Sequence, residues 1–233
     1  MTEPKRSLPV RFFRFTLKLL LYFVTASIAL VGIYAVVPVP TTLTMLLDPN
    51  GAKRNWTSLS NISPNLVRAV IAAEDAKFCS HDGFDREAIE KALERNKRGG
   101  KIRGGSTISQ QTAKNVFLWQ GTGYSRYVRK APEFWFTFLI ETIWTKRRIM
   151  EVYLNVAETG IGTYGAEEGA LRYFNKSAAS LSRIEAARLA AALPLPKKRA
   201  VNGAGGFTRR YGNSISARIR VVQRDRLDSC IYK

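Results

Sequence analysis

The chain of 233 residues is poor in the side chains that build disulfide or metal frameworks: it has two cysteines, Cys79 and Cys230, and one histidine, His81. Two cysteines at this spacing make no metal motif, and we expect both to be unpaired structural residues. The sequence also contains no CxxC, HExxH, GxGxxG or Walker pattern, which argues against a protein-held zinc and a nucleotide cradle. Repeats are absent and strand patterns are few, so the predicted fold class is mainly α.

Acidic residues are also scarce, because 18 Asp and Glu stand against 37 Lys and Arg, for a formal net charge of +19. This balance indicates an anionic partner, which could be nucleic acid, a lipid surface or a phosphorylated substrate. Composition alone does not choose among the three.

One long uncharged run is present, from Leu19 to Val37, and its 19 residues would reach about 28 Å as a helix, close to one hydrocarbon core. We therefore predict a transmembrane helix at 19–37. The preceding segment, 1–18, is a basic tail with five cations and one acid, which the positive-inside rule places in the cytoplasm. A cleaved signal peptide is the alternative, but the run is long for one and "VVPVPTT" is a poor cleavage site. With the basic bulk across the membrane, nucleic acid is not an expected partner.

Residues 38–60 contain "PVPTT" and "DPNG" and are predicted to be a linker, followed by one domain over 61–233. Ser63 followed by Pro64 predicts the start of a helix. Further helices are predicted from Thr107 to Trp119, across 132–155 as one long or two abutting helices, and in the basic C-terminal segment.

Glu74 stands out because Leu66, Val70 and Glu74 share one helical face, so the carboxylate continues an apolar stripe. Desolvation of such a carboxylate raises its pKa, which suits a general base or acid. A fraying helix end with Glu74 in water is the alternative. His81 has no nucleophile at a recognisable spacing, and a structural hydrogen-bonding role is favoured for it.

The segment Arg103–Asn115, "RGGSTISQQTAKN", combines two glycines, hydroxyls and a helix start. Thr107 and Gln110 have the spacing of a capping box. Free N–H groups at the helix start, with Lys114 one turn beyond Gln110, predict a phosphate site. An ordinary cap after a flexible loop is the alternative.

A second carboxylate, Glu133, follows two cations in "RKAPE". It is either an acid that complements the dipole of a helix start or a second functional carboxylate, flanked by cations for an anionic leaving group. Glu141 lies two turns further along the same helical face and is a weaker candidate.

Four motifs, in order, resemble the monofunctional peptidoglycan glycosyltransferases. The chain has E-D-x-x-F-x-x-H-x-G at Glu74–Gly83, G-G-S-T-I-[ST]-Q-Q-x-x-K-N at Gly104–Asn115, R-K-x-x-E at Arg129–Glu133 and K-x-x-I-x-x-x-Y-L-N at Lys146–Asn155. The resemblance spans about residues 55–200. It departs from the family pattern at Pro132, at Arg126, which is shifted by one position, and at Asn175, where the family favours glycine.

The resemblance implies a lysozyme-like, mainly α glycosyltransferase domain on one N-terminal transmembrane helix. It implies polymerisation of lipid II into β-1,4-linked glycan strands by inversion, with release of undecaprenyl pyrophosphate. Glu74 would be the general base and Glu133 a second catalytic carboxylate. The implied substrate-binding residues are Asp75, Ser106, Thr107, Gln110, Gln111, Lys114, Asn115, Arg126, Arg129 and Lys130.

The same resemblance implies a divalent cation, Mg or Mn, bound through the substrate pyrophosphate and not held by the protein alone, and no organic cofactor. The expected partners are lipid II, the growing glycan strand and the membrane, with proteins of cell-wall synthesis or division as further candidates. The catalytic domain is expected in the periplasm, on the inner membrane. Two other functions stay open: a lytic enzyme of similar fold, and a non-catalytic scaffold at the membrane surface.

Overall fold

The computed structural model describes residues 8–97, 105–121, 123–203 and 205–232, and it divides the chain into one unit up to Val37 and a second from Pro38 onward. The first unit contains helix α1, Leu8–Tyr34, in which Val10–Tyr34 is long and apolar enough to cross a membrane. These 25 residues extend about 37 Å. The helix begins earlier than the predicted 19–37, since its backbone continues through the charged residues that bounded the uncharged run.

The segment expected as a linker, 38–60, is part of the second unit and has its own structure. It contains helix α2, Leu43–Leu46, strand β1, Lys53–Arg54, and the start of a 3-10 turn at Leu59–Asn61. Its backbone is paired with distant residues: the Lys53 N–H donates to the Gly162 carbonyl at 2.9 Å. These pairings tie the segment to the domain, a correction to the linker prediction.

The second unit is mainly helical, as predicted. Helix α3 packs against α10 and α11, and α5 packs against α7 and α8. Both groups contribute to the core, which contains the fully buried Val67, Ile71, Ile108, Ile149 and Leu189. The helices after α2 are α3 (Pro64–Glu74), α4 (Arg86–Lys97), α5 (Ile108–Phe117), α6 (Ser125–Val128), α7 (Lys130–Ile143), α8 (Lys146–Val156), α9 (Ala166–Phe174), α10 (Arg183–Ala192) and α11 (Gly206–Arg224).

The second unit also contains a small three-stranded sheet. Strands β2, Glu158–Gly160, and β3, Thr163–Tyr164, lie in the glycine-containing segment "ETGIGTYG" that follows α8. The strand order is β1-β3-β2, with β1 parallel to β3 and β2 antiparallel to it. At two or three residues each, these strands are too short to give an alternating pattern in the sequence.

Local start and stop signals operate as predicted. The Ser63 hydroxyl accepts a hydrogen bond from the Asn65 N–H at the start of α3. The segment 132–155 forms two helices, because the chain is extended at Trp144 and Thr145 then caps α8. Helix α9 ends on Asn175 in the left-handed conformation, with φ of 51°, a geometry that asparagine tolerates better than most residues.

The two cysteines are joined in a disulfide, so the prediction that they are unpaired is wrong. Cys79 and Cys230 have Cα atoms 5.4 Å apart. The C-terminal segment does not fray, because the left-handed Arg226 turns the chain back after α11 and Asp228 forms a buried ion pair with Arg68 at 2.7 Å. The cysteines are 151 positions apart in the sequence, so no local pattern indicates that they are close.

Candidate active site

Glu74 is the last residue of α3, at the end of the apolar stripe that buries Val67, Val70 and Ile71. Its Oε2 accepts a hydrogen bond from the Gln111 side-chain amide at 2.9 Å. Its Oε1 is buried and has no hydrogen-bond partner among the described residues. Burial raises the pKa of Glu74, although the Gln111 hydrogen bond and the positive charges of nearby side chains oppose that rise. The apolar face of α3 therefore ends in a desolvated carboxylate, and its Oε1 accepts no hydrogen bond from the described residues.

The neighbouring Asp75 is occupied by the protein. Both of its oxygens lie 3.0–3.1 Å from His81 Nε2, and its Oδ2 also accepts from the Ile108 N–H at 3.0 Å. His81 Nδ1 accepts from the Gly83 N–H, which leaves the proton on Nε2 to donate to Asp75. Asp75 therefore joins α3, His81 and the start of α5. Its role in substrate binding stays a prediction, and it also lines the cavity beside Glu74.

The start of α5 has the predicted capping box. The Thr107 hydroxyl accepts from the Gln110 N–H, and the Gln110 side chain accepts from the Thr107 N–H. The Thr107 hydroxyl in turn donates to the Gly83 carbonyl at 2.7 Å. Since Asp75 also accepts from the Ile108 N–H, three of the N–H groups at this helix start, those of Thr107, Ile108 and Gln110, are already satisfied. The Asp75 carboxylate is thus an anion of the protein itself at this helix start, and the binding of phosphate there stays a prediction.

Lys114 lies one turn further along α5 and is half-buried. Burial is the main effect that lowers its pKa, and the positive charge of Arg129 lowers it further. Glu133 and Glu74 act in the opposite direction, but no described carboxylate forms an ion pair with Lys114 within 4.0 Å. A partly desolvated ammonium group without a protein counter-ion favours the binding of an anion.

Glu133 lies in the first turn of α7 and is 2% exposed. Its carboxylate is held by two cations from the preceding turn: Arg129 Nε lies 3.3 Å from Oε2 and Lys130 Nζ lies 2.5 Å from Oε1. Lys130 Nζ also approaches the Ser106 hydroxyl at 3.5 Å, which links α7 to the residues before α5. Glu133 therefore fits both interpretations of "RKAPE", as an acid at a helix start and as a carboxylate within a cationic cluster.

Other predicted site residues have different surroundings. Arg126 is exposed and stacks on the Tyr127 ring, 5.0 Å from its centroid. Arg129 is buried and also donates to the Trp119 carbonyl at 2.9 Å. Asn115 is buried and accepts from the Gln120 side-chain amide. For Arg126 and Asn115, the structure shows no contact that joins them to Glu74 or Glu133.

Residues that motif reasoning did not assign to the site complete it. The Tyr153 hydroxyl, buried in α8, lies 3.4 Å from Gln111 Oε1 and so extends the hydrogen-bond chain from Glu74. Arg199, from the segment after α10, acts electrostatically on Glu74. Lys146 donates to the His81 carbonyl at 2.6 Å and to Glu141 Oε1 at 2.8 Å. Tyr153 and Lys146 are both defined positions of the fourth motif, and that motif is the sequence feature from which their place at the site could have been predicted.

Two adjoining cavities bring the carboxylates together with the cations. The smaller, of about 290 Å³, is lined by Glu74, Ser106 and Thr107 among others. The larger, of about 1000 Å³, is lined by Gln110, Lys130 and Glu133 among others. Lys77 and Asp85 line both cavities, so the two are neighbours. A desolvated carboxylate thus lines one cavity, and Lys130, held by Glu133, lines the next.

Comparison with known proteins agrees with this chemistry. A family model described as Transglycosylase matches residues 41–221, beginning inside the segment expected as a linker. The chain is 50% identical over 218 residues to the biosynthetic peptidoglycan transglycosylase of Caulobacter vibrioides, covering 92% of this chain and 94% of that protein. It is 47% identical over 206 residues to the protein of the same name from Pseudomonas aeruginosa, covering 84% and 88%. The chain therefore belongs to the transglycosylase family and is a glycosyltransferase.

Proposed function

We propose that this glycosyltransferase builds peptidoglycan by polymerising lipid II into β-1,4-linked strands and releasing undecaprenyl pyrophosphate. The names of its relatives support the peptidoglycan product. The observation that carries the proposal is Glu74, a desolvated carboxylate with an uncommitted oxygen on a cavity next to the cations of α5 and α7.

In the proposed reaction, Glu74 Oε1 accepts the proton of the sugar 4-hydroxyl of the acceptor lipid II. The hydroxyl oxygen forms a bond to C1 of the growing strand as the bond from C1 to the pyrophosphate oxygen breaks. Attack from the face opposite the leaving group converts the α-linked donor into a β linkage, as in inverting carboxylate chemistry. A raised pKa brings the base nearer to the working pH, which favours proton transfer.

The departing pyrophosphate takes the bonding electrons and needs positive charge around it. Lys114 has no ion-pair partner among the described carboxylates, and Lys130 is half-exposed at the larger cavity. We assign these two lysines to the pyrophosphate, where fixed cations stabilise developing negative charge. Glu133 keeps Lys130 in place and limits repulsion between Lys130 and Arg129. Asp75, with His81, acts by holding α3 against α5.

A divalent cation, Mg or Mn, is part of the proposal as a companion of the pyrophosphate. The described residues offer no group of three His, Cys, Asp or Glu side chains that would hold a metal. Both oxygens of Glu133 are engaged by Arg129 and Lys130. These residues do not fit a metal held by the protein alone, so we assign no step of the reaction to it.

We further propose that α1 anchors the protein in the inner membrane with its N-terminus in the cytoplasm and the second unit in the periplasm. The cations that precede Leu19 support this orientation. The Cys79–Cys230 disulfide supports it independently, because disulfides persist in oxidising compartments such as the periplasm. Proteins of cell-wall synthesis or division would be met on that side.

The test is incubation of the purified full-length protein with lipid II in detergent and a divalent cation, with products separated by size. We expect the wild type to form polymer, and Glu74→Gln to lower the rate by at least about 10²–10⁴-fold. Glu90→Gln is the matched control, because Glu90 is exposed on α4. Cleavage of preformed strands in place of polymerisation would indicate the lytic alternative, and near-normal polymerisation by folded Glu74→Gln would remove Glu74 from the mechanism.

A further inference from the structure

The residues after α11, 225–232, form a strap that returns to the catalytic helix. Arg226 has a left-handed backbone with φ of 51°, and the Leu227 N–H donates to the Val222 carbonyl at 2.9 Å. Both features end α11 and reverse the chain. We call residues 225–232 the C-terminal strap.

The C-terminal strap is attached to α3 and α8 by specific contacts. Asp228, 5% exposed, forms an ion pair with Arg68 of α3 at 2.7 Å. The Arg68 guanidinium also lies 5.5 Å from the centre of the Tyr232 ring. From α8, Arg147 donates to the Ile231 carbonyl at 3.3 Å. A buried ion pair costs more when one partner is lost than a surface pair does, so these contacts hold the strap firmly.

The strap is also covalently bonded to the loop that follows Glu74. Cys230 is joined to Cys79, which lies in the 3-10 turn Phe78–Ser80. One end of this loop carries Glu74 and the other carries His81, and the Phe78 N–H donates to the Asp75 carbonyl at 3.1 Å inside it. Two links therefore hold this loop: the hydrogen bond between Asp75 and His81 within it, and the disulfide from Cys79 to the C-terminal strap.

Helix α11, which leads into the strap, contacts the last turn of α3 directly. The Tyr211 hydroxyl donates to the Ala73 carbonyl at 3.0 Å, at the residue before Glu74. The Arg199 guanidinium lies 5.8 Å from the centre of the Tyr211 ring and acts electrostatically on Glu74. Two routes thus connect α11 to the carboxylate, one through the backbone of α3 and one through charge.

We propose that the C-terminal strap, locked by the Cys79–Cys230 disulfide, is a positioning element for Glu74, and that the oxidised form is the competent enzyme. This inference rests on the proposed function, in which Glu74 is the general base. A general base must lie within hydrogen-bond reach of the hydroxyl, and a displacement of about 1 Å can cost as much as about 10²-fold in rate. The strap limits the movement of the end of α3 on which that distance depends.

Release of the strap changes the surroundings of Glu74 in a predictable direction. The groups that act on its carboxylate are Gln111 and Lys114 from α5, Arg199 after α10, the adjacent Asp75 and Tyr153 of α8. None of them belongs to the strap, so these partners remain in the chain when the disulfide opens. We expect the loosened end of α3 to be more hydrated. Hydration weakens the desolvation that raises the pKa of Glu74, and the acid limb of the pH profile therefore moves to lower pH.

The experiment reduces the folded full-length protein with dithiothreitol and measures lipid II polymerisation across pH. Reduction breaks the S–S bond, adds two electrons and two protons to the sulfurs, and closes the dithiol into its own disulfide. We expect kcat/KM to fall by about 10-fold or more, mainly through kcat, and the acid limb to shift downward. The Cys79→Ser/Cys230→Ser variant should resemble the reduced protein and be insensitive to dithiothreitol.

A second comparison keeps the proposal testable if the cysteine variants fail to fold. Asp228→Asn removes the ion pair with Arg68. Asp225→Asn changes an exposed residue whose one ion pair among the described residues is with its neighbour Arg224. We expect Asp228→Asn to shift the acid limb downward and Asp225→Asn to leave it unchanged. Hydrogen exchange at the Phe78 amide should quicken on reduction. Reduced wild type with an unchanged rate and pH profile would overturn the proposal, whereas an oxidised wild type that makes no polymer would instead overturn the proposed function.

Discussion

Replacement of Lys114 by methionine separates binding of the leaving group from folding. Methionine keeps the length and packing of the side chain but removes its charge. A charge-assisted contact with the pyrophosphate is worth about 1.5–3 kcal/mol, which corresponds to about a 10- to 150-fold loss in kcat/KM. Because the described part of the site gives Lys114 no carboxylate partner within 4.0 Å, no ion pair of the resting protein is broken.

The stability of the same variant should move the other way. Burial lowers the pKa of Lys114 in the folded chain, so the charged form is penalised at every pH below that pKa. The penalty is relieved as pH rises through the folded-state pKa toward the ordinary value of 10.5. We therefore expect Lys114→Met to melt at the same temperature as the wild type or higher at neutral pH, with the difference shrinking in alkaline buffer.

The assay combines initial rates of lipid II polymerisation, measured over a range of substrate, with thermal unfolding of the same preparations. Lys176→Met is the control, because Lys176 is an exposed lysine paired with Glu185 at 2.7 Å and distant in sequence from the site motifs. It should change the rate little and the stability by less than about 1 kcal/mol. A Lys114→Met protein that melts early but turns over normally per folded molecule would refute the reasoning.

Two further predictions concern stability. Glu74→Gln should raise the melting temperature, by about 2–4 °C for each kcal/mol, because the raised pKa of Glu74 means that its charged form is disfavoured in the fold. Calorimetry should show no gain in acid below the ordinary value of 4.5, a gain that grows from there up to the folded-state pKa, and a constant gain above it. A variant less stable than wild type at neutral pH would contradict this. Gly83→Ala should destabilise the protein by about 1–3 kcal/mol through overpacking, since a Cβ at Gly83 would lie 2.8 Å from Thr137 Cγ2 and from Glu141 Cγ. Denaturant unfolding measures this loss, and Gly51→Ala is the control, because Gly51 has the same left-handed backbone and a Cβ there would meet nothing within 4 Å. Equal losses of stability in the two variants would show that packing is not the cause.

Features that depend on near neighbours in the chain were accessible from the sequence. The position of Glu74 on the apolar stripe follows from helical periodicity, and the capping box of Thr107 and Gln110 follows from a spacing of three residues. The break between α7 and α8 was one of two alternatives, and the cap at Thr145 decides it. In each case the interacting groups lie within one or two helical turns.

Features that depend on distant segments were not accessible. The Asp75 carboxylate accepts from the N–H of Ile108, which is 33 positions away in the sequence. The two bonded cysteines are 151 positions apart. Strand β1 gains its identity only by pairing with β3, because two residues carry no periodicity of their own. Rules based on local spacing do not predict such contacts, because the groups come together only when the whole chain is folded.

The long span of the disulfide also sets an order of events during synthesis. At about 5–20 residues per second, synthesis reaches Cys230, 151 positions after Cys79, roughly 8–30 s later. Throughout that interval Cys79 has no native partner, and any oxidant that reaches it first can only produce a mixed or intermolecular product. Correct oxidation must therefore be late, and a quality-control step that samples free thiols could distinguish a finished chain from an unfinished one.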